Sequence, residues 1–511
     1  MKLVKRGGAL LLSALLLAIL ALVLFGYAHT AYWLKRVYLA PQTVMLAIGA
    51  AAIALLCGVP MCVKGRGLRA PQWMEILPWL VLLAVQLVFC FHAYFITGWD
   101  VRGIVDTAYA LAGGEADLHI GYLSQYPNNI SLVLLFAAII RVVRLLLGNP
   151  GLDRCIYVLI AFQCALNTAT GFLLRRAAQR VTGSKRLSWC IAVVYMAFIG
   201  LSPWLMIPYS DSTALIFPTA ILALYVWRED KRLGKWVWPC IGVLAGVGYM
   251  IKPQVVIIAI AIAIVETVRC LAQRKPAAWL RQTGVMTVIL ALLAGPGMQM
   301  LIKAAPIEIR PGRSMNMLHY VMMGLNSETN GSYLYDDVVL TYHAEDKHAQ
   351  QLPVIASRLE AMGAQGLAEH LKKKTLTNYA DGTFAWSCEG EFYREWIADK
   401  DEKLSPFLKS IIFTGGSRYN GYQTAAQCVW LALLAGCVLL GVRQAICRDA
   451  GTDEAAVMML CIIGITLFQT IFEARARYLF IYAPFYVLLG VHGIWQTVQT
   501  ALRGFHISAK Q

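Results

Sequence analysis

The chain has 511 residues, of which 59% are hydrophobic and only 14% charged, with a formal net charge of +16. That composition supplies too little polar surface for a soluble protein of this length, so a lipid bilayer must act as its solvent. The positive charge lies in short loops beside apolar segments, where retention of Lys and Arg in the cytoplasm explains it, and we expect no nucleic-acid binding. The 13 cysteines lie almost all within apolar segments and predict neither a disulfide framework nor a zinc site.

Apolar segments of roughly 17 to 25 residues recur along the chain, and such a segment crosses a ~30 Å hydrocarbon core as a helix. They predict an all-α polytopic membrane protein of about 12 transmembrane helices, because backbone polar groups in lipid must be satisfied within their own segment. The predicted spans are 8–30, 41–62, 74–95, 153–174, 187–207, 211–227, 236–251, 254–269, 284–303, 424–442, 455–472 and 477–497. The first span exceeds the core of a signal peptide, so we expect a retained anchor.

Basic residues predict the orientation of the chain in a bacterial cell membrane. With both termini cytoplasmic, the inner loops include VKGRGLR, RRAAQRVTGSKR and REDKRLGK, as the positive-inside rule requires. This topology holds only if the apolar segment 128–147 does not cross the bilayer. Because that segment contains Arg141 and Arg144, we predict an amphipathic or re-entrant helix at the outer interface.

This topology divides the chain into three parts. Residues 1–303 form an N-terminal transmembrane region with an outer loop at 96–152, residues 304–423 form a large extracytoplasmic loop, and residues 424–511 form the C-terminal helices. The large loop holds about half of the acidic residues and contains amphipathic stretches. We therefore predict a mostly helical cap that carries function, because plain connectors are rarely this long.

Two aspartates are candidate catalytic residues. Asp100 follows the third predicted span in FITGWDVRG, and a carboxylate beside a membrane is costly unless it is solvated, paired or used; a solvated acid or a helix cap would explain it equally well. Asp211, in SPWLMIPYSD, could face Asp100 or could instead cap the sixth span. Two carboxylates can divide the work of general base and positioning group, or hold a divalent cation such as Mg²⁺ or Mn²⁺.

Further polar residues lie near the ends of predicted spans. Lys252 precedes Pro253 between two short apolar segments, and a broken helix with an embedded cation often lines a cavity, although the lysine could instead reach the headgroups. Tyr126 and Asn128 lie in GYLSQYPNNISL, where asparagine could simply cap the following helix. These residues are candidate substrate contacts.

The most informative motif is FEARARYLFIYAPFY, between the last two spans. Its Glu473, Arg475 and Arg477 lie on the predicted outer side, where a basic pair runs against the positive-inside bias and predicts phosphate binding; headgroup anchoring is the alternative. In the large loop, His319 is a candidate binding residue, although a single histidine is more often structural. The segment NYADGTFAWSCEGEFYREW combines aromatic rings and acids, which suits sugar rings or an interfacial belt.

Together, Asp100, the YPNN helix, the SPWxxxPYSD hairpin, Lys252 and the EARARYL motif resemble the GT-C superfamily of membrane glycosyltransferases. The chain is most similar to bacterial protein O-mannosyltransferases and lipid A aminoarabinose transferases, over most of residues 74–497. The resemblance implies an essential aspartate and juxtamembrane helices in the first large outer loop, and an acid in a later hairpin that corresponds to Asp211. The usual paired acidic motif is incomplete beside Asp100, which puts a metal requirement in doubt.

The resemblance also implies a mechanism. Asp100 would act as general base in an inverting transfer from a polyprenyl-phosphate-linked sugar to a hydroxyl of a cell-envelope acceptor, and Arg475, Arg477 and Lys252 would stabilise the leaving phosphate. The implied partners are that donor, membrane lipids and the acceptor, while a divalent cation is compatible with the donor but not required. Two other functions stay open, namely a transporter or flippase of a lipid-linked saccharide, and an oligosaccharide ligase or polymerase.

Overall fold

The structure is a computed structural model that describes residues 2–26, 37–62, 73–230, 232–390, 393–446 and 451–508. Within these ranges, ten helices are long and apolar enough to cross a membrane: Lys5–Phe25, Gln42–Cys62, Trp73–Ala93, Pro127–Leu147, Leu152–Thr182, Pro253–Gln273, Trp279–Ala304, Tyr419–Ile446, Asp453–Ile471 and Ala476–Gly504. All but Pro127–Leu147 correspond to a predicted span. The prediction of a helical, multi-pass membrane protein is therefore confirmed.

The predicted number of spans is not confirmed. The predicted spans 187–207, 211–227 and 236–251 form helices, but these are shorter or less apolar than the ten. Part of the first predicted span (27–30) and the basic loop VKGRGLR (63–69) lie outside the described residues.

Fourteen α-helices precede residue 305 in the described parts of the chain. They are α1 (Lys2–Phe25), α2 (Gln42–Cys62), α3 (Trp73–Ala93), α4 (Trp99–Leu111), α5 (Ile120–Gln125), α6 (Ile130–Leu147), α7 (Leu152–Thr182), α8 (Lys185–Tyr195), α9 (Ser210–Ala214), α10 (Ile216–Tyr225), α11 (Gly234–Ile251), α12 (Val256–Gln273), α13 (Pro276–Leu292) and α14 (Met298–Ala304). The long loop contains α15 (Met317–Gly324), α16 (Tyr335–His343), α17 (Lys347–Tyr379) and α18 (Leu404–Ile412), and the chain continues with α19 (Tyr419–Ile446), α20 (Asp453–Ile471) and α21 (Ala483–Ser508). The large loop is thus mostly helical, as predicted.

Two short strands join distant parts of the chain. Strands β1 (Phe95–Thr97) and β2 (Tyr393–Trp396) pair antiparallel, with a register shift between Ile96 and Thr97. The sequence did not predict them, because three or four residues are too few to show an alternating pattern. Strand β1 immediately precedes the segment of Asp100, and β2 lies shortly after Glu389, so the pair holds these two segments side by side.

Helix α6 is the segment for which an interfacial position is predicted. Its Arg141 donates to the carbonyl oxygen of Leu111 (Nη2 to O, 2.8 Å), and Arg144 donates to that of Gly113 (2.7 Å). Both carbonyls lie at the C-terminal end of α4, where cations interact favourably with the helix dipole. These contacts give two charges on an apolar helix a structural role, and whether α6 crosses the bilayer stays a prediction.

Ion pairs join one end of four helices. Arg228, just after α10, lies 3.2 Å from Glu266 of α12 (Nε to Oε1) and 2.9 Å from Asp453 of α20 (Nη2 to Oδ2). Lys5 of α1 lies 2.6 Å from the same aspartate. Because these largely buried charges are paired, their desolvation is compensated, and the network fixes the helices at this end of the bundle.

Glycines allow the C-terminal helices to pack closely. A Cβ atom on Gly436 of α19 would lie 2.1 Å from the carbonyl oxygen of Gly490 of α21, and one on Gly493 would lie 1.9 Å from that of Gly436. Small residues are the usual means of close helix packing in lipid, where apolar burial drives association only weakly. The α19–α21 contact therefore has no room for a larger side chain at Gly436.

We expect Gly436→Leu to prevent the protein from folding, because backbone atoms of α21 cannot give way as a flexible side chain could. Gly421→Leu is the matched control, since a Cβ atom at Gly421 in the same helix meets nothing within 4 Å. Size-exclusion chromatography of detergent extracts measures the result. A monodisperse Gly436→Leu protein would contradict this packing.

Candidate active site

A cavity of about 750 Å³ lies where the ends of several helices meet the long loop. The predicted site residues that line it are Asp100, Tyr126, Asn128, Lys252, Glu473, Arg475 and Arg477. They come from the segments after α3 and α5, the α11–α12 junction and the α20–α21 connection. The two remaining predicted residues, Asp211 and His319, are buried beside the cavity and do not line it.

Asp100 lies in the first turn of α4, directly after Trp99, whose φ of 42° is rare for a bulky residue and marks a strained turn. The Tyr209 hydroxyl donates a hydrogen bond to Asp100 Oδ2 (3.1 Å). Burial raises the pKa of the Asp100 carboxyl, against the opposing effects of Arg477 and of the Tyr209 hydrogen bond. A raised pKa makes this carboxylate a stronger proton acceptor, which suits a general base.

The motif between the last two spans forms a compact cluster of charges. Arg475 Nε lies 2.9 Å from Glu473 Oε1, and the Tyr478 hydroxyl donates to Glu473 Oε2 at 2.8 Å. Arg477 Nε lies 2.9 Å from Glu389 Oε2, and Arg475 Nη1 lies 3.5 Å from the same oxygen. The carboxylate of Glu389 therefore bridges the two arginines.

Aromatic rings hold the guanidinium of Arg477 next to the segment of Asp100. Its Cζ atom lies 4.5 Å from the ring centroid of Trp99 and 5.1 Å from that of Tyr209. A planar guanidinium stacks on aromatic faces in a way that a lysine ammonium does not reproduce. Trp99, with its strained backbone, thus contacts Arg477, and both Arg477 and Asp100 line the cavity.

Asp211 is an internal partner of two cations. Its side chain is 1% exposed, its Oδ1 lies 2.7 Å from Lys252 Nζ, and its Oδ2 lies 3.8 Å from Arg477 Nη1. It makes no helix cap, so the capping alternative does not explain it.

No cluster of metal ligands accompanies the two aspartates. In the described parts of the chain, no group of three or more His, Cys, Asp or Glu side chains could hold a metal ion. A cation shared by Asp100 and Asp211 would have to displace the ion pairs of Asp211 with Lys252 and Arg477.

Tyrosine and amide side chains form another wall of the cavity. Asn129 Nδ2 donates to the Tyr122 hydroxyl at 2.6 Å, and Asn128 Nδ2 lies 3.3 Å from Asn129 Oδ1. The rings of Tyr122 and Tyr126 are 5.3 Å apart. Asn129 makes no cap hydrogen bond at the start of α6, so these amides belong to the wall instead. The other members of the wall are Gln125, Tyr320 and Tyr333.

His319 lies beside the cavity and does not line it. Its side chain is fully buried, and Nδ1 lies 2.9 Å from Thr341 Oγ1 in α16. Burial lowers the pKa of His319 to about 4, so it is neutral at physiological pH. Its neighbour Tyr320 reaches the cavity, and the histidine fixes α15, which carries that tyrosine, against α16. The prediction of a substrate contact at His319 is therefore not supported, because its side chain is fully buried against α16 and a substrate in the cavity does not reach it.

Sequence reasoning did not single out several lining residues. Glu389 lies in the aromatic and acidic segment that suits sugar rings, and Tyr209 lies in the hairpin of Asp211. Both segments could therefore be recognised from the sequence, although these two residues were not. Trp99 and Tyr478 are immediate neighbours of predicted residues. Their roles depend on contacts between segments far apart in sequence, which no local pattern reveals.

Residues 42–498 match the model of a family described as "Conserved hypothetical integral membrane protein". The chain belongs to this family. The family match includes every residue that lines the cavity and begins at the first residue of α2. A comparison with curated proteins found no match.

Among solved structures, the chain is similar to ArnT from Cupriavidus metallidurans, whose crystal structure is described as bound to undecaprenyl phosphate. The sequences are 15% identical, the match covers 82% of this chain and 77% of that chain, and the TM-score is 0.33.

Proposed function

We propose that this membrane protein is a GT-C type glycosyltransferase that moves a sugar from a polyprenyl-phosphate-linked donor to an acceptor hydroxyl at the outer face of the membrane. One observation carries the proposal: a half-buried carboxylate with a raised pKa, Asp100, lines the same cavity as the guanidinium groups of Arg475 and Arg477. The arrangement pairs a proton acceptor with cations that can bind a departing phosphate.

In the proposed reaction, Asp100 takes the proton of the acceptor hydroxyl as that oxygen bonds to the anomeric carbon of the sugar. The bond between that carbon and the phosphate oxygen breaks on the opposite face, which inverts the anomeric configuration. The phosphate leaves with the electron pair and its negative charge is stabilised by Arg475, Arg477 and Lys252. Asp211 acts through these cations as a positioning residue, since it is paired with Lys252 and Arg477.

The wall of tyrosines and amides supports a saccharide as the transferred group. Tyrosine rings present apolar faces with hydroxyl edges, and amides supply both donors and acceptors, which matches the alternating surfaces of a sugar ring. The volume of about 750 Å³ falls within the range of small-molecule sites and is large enough to enclose the reacting groups.

The distribution of charge supports an extracytoplasmic site. Glu266 of α12 and Asp453 of α20 both pair with Arg228, so this ion-pair network lies towards one end of the two helices. The opposite ends of α12 and α20 lie beside Lys252 and Glu473, which line the cavity. Arg228 of the network is the first residue of REDKRLGK, one of the basic loops that the positive-inside rule assigns to the cytoplasm. A lipid-linked donor suits the opposite face, because nucleotide sugars are absent outside the cell.

The test is transfer in membranes that contain the protein, with a panel of radiolabelled polyprenyl-phosphate sugars. We expect one donor to label an endogenous acceptor covalently. If the lipid-linked saccharide moves across the vesicle membrane without covalent transfer, the transporter alternative is favoured. If a preassembled chain is transferred instead of a single sugar, a ligase is favoured. If no donor gives a covalent product, the proposal is wrong.

The pH dependence of kcat, measured with saturating donor, is a further prediction. A general base acts when it is deprotonated, so kcat should rise with pH through the pKa of Asp100 and then level off. Because burial raises that pKa, the acid limb should lie above the ordinary range of aspartate, about pH 4. A kcat that stays constant down to about pH 4 would remove Asp100 from the role of base.

A further inference from the structure

The cavity lining, together with the buried Asp211 that is ion-paired with it, carries more carboxylates than cations. The carboxylates are those of Asp100, Asp211, Glu389 and Glu473, and the cations are those of Lys252, Arg475 and Arg477. A phosphate would add further negative charge, and both arginines already have carboxylate partners. A phosphate can therefore bind the arginines well only if one carboxylate loses its charge or moves away.

The contacts indicate which carboxylate that is. Glu473 is held on both oxygens, by Arg475 and by the Tyr478 hydroxyl. Burial acts to raise its pKa, but these partners outweigh burial and lower the pKa, so Glu473 stays ionised. Glu389 contacts Arg475 and Arg477 through a single oxygen, Oε2. It thus occupies the space between the two guanidinium groups, where a phosphate would have to sit to be bound by both.

Glu389 also lies on an irregular segment. Phe384 and Ala385 have φ angles of 56° and 61°, and a π-helical turn follows at Trp386–Gly390. Asp381 stabilises this turn by accepting a hydrogen bond from the Ala385 amide (3.0 Å). A side chain on such a turn, unlike one on a long helix, can change position without a shift of a membrane-spanning element.

We propose that Glu389 and the donor phosphate compete for Arg475 and Arg477, and that the phosphate displaces the carboxylate as Glu389 takes up one proton from water. This inference rests on the proposed function, in which the two arginines bind the donor phosphate. It makes donor binding linked to pH, with tighter binding at lower pH. Displacement would be reversed when the phosphate leaves as part of the lipid product.

The charges around Glu389 are consistent with proton uptake. The ionisable groups that face it from the neighbouring elements are Arg475, Arg477, Glu473, Asp211 and Lys252. Burial raises the pKa of Glu389, with the two arginines acting in the opposite direction and Glu473 and Asp211 adding to the rise. Binding of an anion to the arginines would remove much of their opposing effect and raise that pKa further.

The test uses the full-length protein in detergent and farnesyl phosphate as the probe, with affinities measured by calorimetry between about pH 6 and pH 8.5. At each pH, the Kd of wild type is divided by the Kd of Glu389→Gln, so that the titration of the probe cancels in this ratio. We expect this ratio to be near one at the lowest pH and to rise by up to about tenfold per pH unit above the pKa of Glu389. Glu360→Gln, at an exposed position of α17, is the control and should behave as wild type.

A ratio that does not change with pH, or weaker binding by Glu389→Gln, would overturn the competition.

Proton uptake by wild type on binding of farnesyl phosphate is a second test, which does not need the variant. It is measured in buffers of different ionisation enthalpy at about pH 8. We expect uptake of up to about one proton, and uptake of none would overturn the inference. Arg477→Gln separates the two proposals. If it binds the probe as tightly as wild type, the phosphate site of the proposed function is wrong; if it binds weakly while the ratio is flat, only the competition is wrong.

Discussion

Asp100→Asn is expected to abolish sugar transfer while the protein stays folded. Loss of a general base costs about 10² to 10⁴ in rate, and the amide cannot accept the proton of the acceptor hydroxyl. The fold should survive because the amide oxygen can still accept the hydrogen bond from Tyr209. Transfer of labelled sugar in membranes measures the rate, and size-exclusion chromatography checks the fold.

Asp117→Asn is the matched control, because Asp117 lies in the same segment after α3 but is exposed. It should transfer sugar at the wild-type rate. Substantial transfer by Asp100→Asn would show that another group takes the proton, and the buried carboxylate of Glu389, which lines the same cavity, would be the next candidate.

Arg477→Gln is expected to lower the rate of transfer by about 10² to 10³, the usual cost of losing a group that stabilises developing charge. It should also lower the thermal stability, because Asp211 and Glu389 lose a buried cationic partner, and breaking a buried pair costs about 3 to 5 kcal/mol. Both effects are measurable on one purified sample, by transfer assay and by thermal unfolding.

The double variant Arg477→Gln with Glu389→Gln separates stability from chemistry. Removal of the carboxylate that lost its partner should restore much of the thermal stability, whereas the transfer rate should stay low because the leaving phosphate still lacks a cation. Recovery of activity in the double variant would mean that Arg477 only neutralises Glu389 and takes no part in the reaction.

Much of the membrane region could be predicted from the sequence, since a long apolar segment without charges can satisfy its backbone only as a helix. Segment 128–147 is the harder case. Its length is that of a span, and its arginines indicate an interface, but their contacts with carbonyl oxygens of α4 could not be read from the segment itself. Interruptions such as the π-helical turn Met196–Gly200 depend on tertiary packing and leave no clear periodic signal.

The site was predictable in part for a similar reason. Asp100, Lys252 and Arg477 stand out because a charge beside an apolar segment needs an explanation. The pairing of Asp211 with Lys252 and the bridge made by Glu389 could not be predicted, because each joins segments that are separated by at least one other helix. His319 shows the opposite case: a conspicuous residue type whose burial against Thr341 gives it a structural role.

The pairing of β1 with β2 has a consequence for biosynthesis. Strand β1 is synthesised well before its partner β2, and Arg475 and Arg477 follow β2, in the α20–α21 connection. The cavity can therefore form only after the α20–α21 connection has been synthesised. Under the proposed function, a chain truncated before this connection should be unable to consume lipid-linked precursor, even if the translocon inserts it correctly.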